Sequence, residues 1–396
     1  MIRTFDLCSN AMLGGGLALA LFMPFHGAQA KSDKVVYSFT GGGDGSEPFA
    51  GMIADGAGNL YGTTTLGGAD GGGTVFKIAS GGTESVLHSF DGTDGSEPGA
   101  APVMDGAGNL YGTTFVGGAY GAGTVFKLTP GGTESVLYTF TGGTDGALLR
   151  GGVIEDSSGN LYGTALLGGA YDQGDVYRLA RDGTFTVLYT FTGGNDGGGP
   201  EGVVVEDASG NLYSTTSGGG ADGNGTVFRL APDGTETVLH SFTSGSSDGA
   251  QPFAGLIMDN AGNLYGTTYR GGLHNVGTIF KVAADGTETM LYALKGGNDG
   301  ANPAADLVED GKGNLYGTAT LGGGSGCGGD GCGTVFEITR HGSEKVLHRF
   351  AGAEDGAEPG SSLVLGQHGL LYGTTITGGG TGCGGGGCGT VFQLKK

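Results

Sequence analysis

A tyrosine set in a near-constant phrase returns seven times along the chain. It stands at Tyr61, Tyr111, Tyr162, Tyr213, Tyr265, Tyr316 and Tyr372, at intervals of 50, 51, 51, 52, 51 and 56 residues. A period of that length marks a repeat architecture, in which one unit is copied and stacked because it cannot bury its apolar faces alone. The first copy divides into four short β-type stretches: "GMIAD" from Gly51, "NLYGTTTL" from Asn59, "GTVFKIA" from Gly73 and "ESVLHSF" from Glu84. Between them stand "GAG", "GGADGG" and "SGGT", where glycine admits positive φ and Asp closes Asx turns. No stretch carries a helical period, so the chain is expected to be all-β. Four antiparallel strands in about fifty residues match one propeller blade. Val75, Phe76 and Ile78, with their equivalents in each copy, then pack between neighbouring sheets.

The ends of the chain choose between an open stack and a ring. "KVVYSF", Lys34 to Phe39, reads as a solitary fourth strand, whereas the seventh copy stops after its third, "GTVFQL", Gly389 to Leu394. Together the fragments complete one blade, and no polar caps of the kind a linear solenoid needs are visible. Closure also removes exposed sheet edges. The expectation is one domain over residues 31–396, a seven-bladed β-propeller of four-stranded antiparallel blades, closed by the N-terminal strand completing the last blade.

Glycine is abundant, 94 of 396 residues with 10 Pro, a content that suits low-complexity polymers. Here it falls at the turns, and 37% hydrophobic residues at fixed intervals supply a core. Residues 1–30 differ: Arg3, the apolar run Ala11 to Phe25 and "AQA" at Ala28 to Ala30 read as a signal peptide. The run is too short for a membrane span, so the mature chain is expected to be soluble, in the periplasm or outside the cell. Cys8 leaves with the signal, and Cys327 with Cys332 and Cys383 with Cys388 are expected as two local disulfides rather than a zinc centre. A net charge of −21 makes nucleic acid and anionic membranes poor partners.

The unit "DGAGNLYGTT…GG…GTVFK…GGTESVLHSF…DG" resembles the Gloeobacter/Verrucomicrobia tandem repeat, the GloVer repeat of exported "choice-of-anchor" bacterial proteins. The resemblance covers essentially the whole mature chain. It implies a secreted or surface-attached repeat protein of no established activity, and brings no catalytic residues. The chain departs from that pattern by ending at Lys395 and Lys396 without a C-terminal sorting segment.

Function is sought where the repeat varies. The loops from strand two to strand three and from strand four to the next blade share one face and are long and variable, which places recognition there. Asp44, Asp94, Asp145, Asp196, Asp248, Asp299 and Asp355 recur in the inter-blade loops, a ring that could hold calcium, but without an alternating Asp ladder or terminal bidentate Glu each Asp is expected to cap its own turn. The glycine slot of the first strand reads Gly51, Ala101, Gly152, Val203, Gly255, Asp306 and Ser362, which singles out Asp306 in the channel. Two residues earlier stand Phe49, Gly99, Arg150, Glu201, Phe253, Ala304 and Gly360, which puts Arg150, Glu201, Phe49 and Phe253 at the channel mouth. His88, His240 and His348 share a slot with four tyrosines, an exchange that suits an apolar ring with a wet tip. His274, beside Arg270 in the fifth long loop, is the further ligand candidate. The repetition points to a non-catalytic, monomeric exported propeller that binds a glycan or protein on its variable face without a cofactor. The alternative is a channel-centred hydrolase, lactonase or lyase with Asp306 as base and Arg150 as anion clamp.

Overall fold

The computed structural model describes residues 33–396; the expected signal peptide at 1–30 lies outside them. Seven four-stranded antiparallel sheets form a seven-bladed β-propeller with no α-helix among the described residues. The first blade runs Ile53–Ala54, Leu60–Thr64, Thr74–Ile78 and Glu84–Ser89, and five further blades repeat this order. The seventh consists of Val364–Leu365, Leu370–Thr375, Thr390–Lys395 and, outermost, Lys34–Ser38. Lys34 pairs with Gln393 and Ser38 with Thr390, with a bulge that leaves Val36 unpaired. The same bulge marks every other fourth strand, where the extra residue is Leu87, Leu137, Leu188, Leu239, Leu291 or Leu347. The closing strand is thus a true fourth strand in register as well as in place.

Each position of the recurrent phrase has a physical job. Asp55 accepts bonds from the Ala57 and Asn59 amides, the Asn59 side chain (2.7 Å) and the Tyr61 hydroxyl (3.1 Å), which fixes the turn. Leu60 is buried between blades. At Gly62 a β-carbon would stand 2.7 Å from the Phe76 ring, so glycine there lets the third-strand aromatic lie across the sheet unshifted. Blade four carries Ser214 there, its hydroxyl donating to the carbonyls of Gly202 and Val203. Thr63 donates to the Ala100 carbonyl of the next blade (3.2 Å), and Thr64 bonds Thr74 within its own (2.8 Å). The bond made by Thr63 recurs from Thr113, Thr164, Thr215, Thr267, Thr318 and Thr374, the last reaching Ala50 and closing the ring.

The core is the set of seven inter-blade layers. At six of them the aromatic that follows one fourth strand meets the third-strand ring of the next blade edge to face. Phe39 on Phe76, Phe90 on Phe126, Phe140 on Tyr177, Phe191 on Phe228, Phe242 on Phe280 and Phe350 on Phe392 all have centroids 5.1 Å apart. Leu294 takes the place at the remaining layer, against Leu307 and Phe336. Such pairs add about 0.5–1.5 kcal/mol each beyond their buried area. The first strands are shorter than "GMIAD" suggests, two residues each. They converge on the channel, where a β-carbon at Gly51 would stand 3.1 Å from Ser362, so backbone there packs against neighbouring blades instead of extending a ladder.

Both local disulfides form, Cys327 with Cys332 and Cys383 with Cys388, each with Cα atoms 5.3 Å apart. They cover left-handed glycines of adjoining inter-blade turns, Gly352 (φ 74°) and Gly41 (φ 80°). At Gly41 a β-carbon would lie 2.6 Å from the Cys383 sulfur.

Candidate functional site

The residue before each innermost turn adopts a left-handed backbone even without glycine: Glu47 (φ 54°), Glu97, Leu148, Gln251, Asn302 and Glu358, with Gly199 in blade four. Bonds to the preceding blade hold it there, such as Leu148 amide to Ala122 carbonyl (3.0 Å). Left-handed backbone at a side chain costs about 1 kcal/mol or more, and is kept where surrounding structure over-determines it. Its effect is to aim the residue two positions later at the channel mouth.

Four of the mouth candidates come together. Phe49, Arg150, Glu201 and Phe253 line one cavity of about 290 Å³, with Asp306 and Ser362 deeper in it. Arg150 Nη1 donates to Glu201 Oε2 at 3.0 Å, and the guanidinium also lies over the rings of Phe49 (5.8 Å) and Phe115 (5.7 Å). Glu201 is 8% exposed, whereas Arg150 remains 48% exposed. Opposite, Phe253 packs on Tyr269 (5.1 Å), and Arg270 stacks over that second ring (5.8 Å). Neither Tyr269 nor Arg270 is among the residues that line the cavity. His274 and Leu273 are exposed further along the same loop, away from the lining residues.

Asp306 accepts a bond from the Gly255 amide at 2.6 Å, bridging blades five and six across the channel. Burial pushes its carboxyl up, against the lowering effect of the Gly255 amide and the Ser362 hydroxyl. A carboxyl so placed holds its proton more readily than an ordinary aspartate.

The seven inter-blade Asp residues are each engaged within their own turn. The fourth-strand ring donates to the carboxylate in every blade: Tyr37 to Asp44 (2.9 Å), Tyr138 to Asp145 (3.0 Å), Tyr189 to Asp196 and Tyr292 to Asp299 (3.1 Å each). His88 meets Asp94 at 2.7 Å, His240 meets Asp248 at 3.3 Å and His348 meets Asp355 at 3.2 Å. Backbone amides such as that of Thr40 add to these (2.8 Å). Across the seam the next blade brings an acid that starts its own fourth strand, Glu84 near Asp44, Glu236 near Asp196 and Glu344 near Asp299. Desolvation first, and the neighbouring Asp second, push these carboxyls up to about 6, 7 and 7 respectively.

A wider groove of about 600 Å³ runs between blades two and three on the opposite face, against Asp105, Asn109, Tyr111 and Asp156. Those residues recur in other blades as turn formers, so the groove is scaffold. The mouth cavity is built where the copies differ. Phe115 and Tyr269 stand behind it, in contact with Arg150 and Phe253, and do not appear when the first strand is read alone. Their signal lies just after the second strand, where the slot reads Thr65, Phe115, Leu166, Ser217, Tyr269, Thr320 and Ile376.

Among solved structures the fold is similar to that of streptogramin B lyase (TM-score 0.58, 14% identity, 88% of this chain and 93% of the other). It is also similar to an extracellular domain assigned to a hybrid two-component system of B. thetaiotaomicron (TM-score 0.56, 12% identity). That match covers 91% of this chain and 39% of the other, so the chain spans well under half of that protein's length. A protein assigned as a 6-phosphogluconolactonase from Bacteroides uniformis matches with TM-score 0.52 and 19% identity, over 80% and 88% of the two chains. At these identities the likeness is one of fold. Curated proteins contain no match to the sequence. The Gloeobacter/Verrucomicrobia repeat model matches residues 27–205 and 100–330, and the chain belongs to that repeat family.

Proposed function

We propose that this chain is an exported binding propeller whose recognition surface is the long-loop face, centred on the channel mouth, and whose ligand is a glycan. The observation that carries the reading is the Arg150–Glu201 pair set among Phe49, Phe115, Phe253 and Tyr269, all at positions where the blades differ. Aromatic faces accept the C–H face of a sugar ring, and a fixed guanidinium–carboxylate pair offers hydroxyl groups both donors and an acceptor. Export is supported by the signal-like residues 1–30, the two disulfides and the extracellular domain among the fold neighbours. No helix among the described residues is long and apolar enough to cross a membrane.

Glycan-array binding followed by calorimetry tests this. Arg150→Ala and Phe49→Ala are each expected to weaken the best ligand about tenfold or more, as central interface anchors do. His274→Ala is expected to leave affinity unchanged. An array that stays blank, or affinity indifferent to both mouth substitutions, contradicts the reading.

One observation favours a second reading, a channel-centred hydrolase, lactonase or lyase: Asp306 sits in the channel with its proton affinity raised, as a general acid or base requires. Sugar and lactone substrates screened with the wild-type chain and Asp306→Asn decide it. Turnover that falls at least a hundredfold on substitution supports it, and turnover independent of Asp306 removes it.

A further inference from the structure

The seven inter-blade seams are alike in architecture but not in chemistry. Each sets a ring from one blade's fourth strand and an inter-blade Asp beside the residue opening the next blade's fourth strand. In two seams all three positions hold metal-ligating groups: His88 with Asp94 and Glu134, and His240 with Asp248 and Glu288. In each, one ligand atom per residue lies within 4.8 Å of both others. We propose that these two seams are divalent d-block metal sites, with zinc as the ion that fits the donor set.

Charge and ligand type lead to that class. Two carboxylates and a neutral imidazole carry two negative charges, which a divalent cation balances. One nitrogen and two oxygen ligands plus a water complete the tetrahedral set zinc accepts. Calcium takes six to eight oxygen ligands and finds too few here. A separate observation bears on the first seam: Glu134 Oε1, like the same atom of Glu84, Glu236 and Glu344 in tyrosine seams, is sealed from solvent without a hydrogen-bond partner, and of these four acids only Glu134 has a histidine converging on it. A buried carboxylate oxygen left unpaired is costly, and a cation would satisfy it. In the second seam Asp248 is 8% exposed, so that site too is drawn into the protein.

The other seams serve as internal comparisons. Four carry tyrosine, a phenol that stays protonated at neutral pH and donates to the Asp. The third histidine, His348, places its two ring nitrogens toward different acids, Nε2 toward Asp355 at 3.2 Å and Nδ1 toward Asp33 at 3.8 Å. There the imidazole bridges two acids, and the three groups do not converge. Because the ligands of each proposed site come from two blades, an ion would clamp neighbours together and stabilise the ring only when folded.

Calorimetric titration of zinc chloride into the chelator-stripped full chain at pH 7.5 tests the proposal, with melting followed in parallel. The expected result is two equivalents per chain and a higher melting temperature. Tyrosine is the natural occupant of the histidine slot in four blades, so the tyrosine substitutions keep the fold, and circular dichroism verifies it. His88→Tyr is expected to leave one equivalent, the His88→Tyr/His240→Tyr pair none, and His348→Tyr two. Absence of zinc binding in the wild type overturns the proposal, as does full stoichiometry in the double variant, which would place zinc on the exposed histidines. Calcium binding as tightly as zinc at the same seams overturns the choice of ion.

Discussion

Excision of Lys34–Phe39 is expected to leave a chain that aggregates or melts well below the wild type. The strand supplies the whole outer edge of blade seven, pairing with Thr390–Lys395. It also delivers Phe39, 3% exposed, onto Phe76 of the first blade. Loss of one buried Phe alone costs about 3–5 kcal/mol, against a typical total stability of about 5–15 kcal/mol. The excision also leaves a bare strand edge, which invites pairing with other chains. Thermal melting and light scattering read the result, and a synthetic peptide of residues 33–41 added in trans is expected to restore part of the melting temperature. A variant as soluble and heat-stable as the wild type contradicts ring closure by this strand.

Stability is expected to peak near pH 4–5 and to fall as the pH rises toward 8. Glu84 and Asp175 have carboxyls pushed up to about 6, and Glu236 and Glu344 up to about 7, desolvation being the largest cause in each. An acid whose folded pKa is raised contributes stability that is complete below its unfolded value and lost as pH climbs through the folded value. The window therefore opens near pH 4.5 and closes above 7. The turn acids Asp55, Asp105, Asp156, Asp207 and Asp259 act in the opposite sense. Desolvation raises them, but the Asn, amide and Tyr donors outweigh it and hold them low, so their contribution is lost as pH falls below 4.

Asp175 is the contributor most easily isolated, because it is fully buried and neither carboxylate oxygen has a hydrogen-bond partner of good geometry. It replaces the threonine that in other blades bonds a second threonine, as Thr64 bonds Thr74, and its own cross-strand neighbour is Ala165. Restoring the pair with Ala165→Thr and Asp175→Thr is expected to raise stability at pH 8 by on the order of 2 kcal/mol and to do little at pH 4.5. Denaturant melts at the two pH values measure this. An equal gain at both, or none, contradicts the assignment of the pH dependence to that carboxyl.

Most of the fold was legible because the repeat states its constraints seven times over. The turn chemistry of Asp55 and Asn59, the burial of Val75 and Phe76, and the orphan strand at Lys34 follow from pattern alone. The threonine ring did not, because Thr63 and Thr64 look equivalent in sequence while alternation sends one hydroxyl to the next blade and the other to its own. The short first strands were hidden for a similar reason: the apolar character of Met52 reflects its packing in the inter-blade core rather than a longer ladder. At the mouth, departures from the repeat single out Arg150, Glu201, Phe49 and Phe253, which the structure places around one cavity. Phe115 and Tyr269, which follow the second strands, lie outside that reading, and the outward placement of His274 depends on how its loop folds.

Ring closure is tested most directly by hydrogen exchange on the untouched protein, comparing amides of Val36–Phe39 with those of a fourth strand inside the chain, Glu236–Ser241. Closure predicts equal protection, with the Phe39 amide among the slowest because it donates to the Gly389 carbonyl at 3.0 Å. Exchange of the N-terminal segment at the rate of an unfolded peptide, with Glu236–Ser241 still protected, would contradict it.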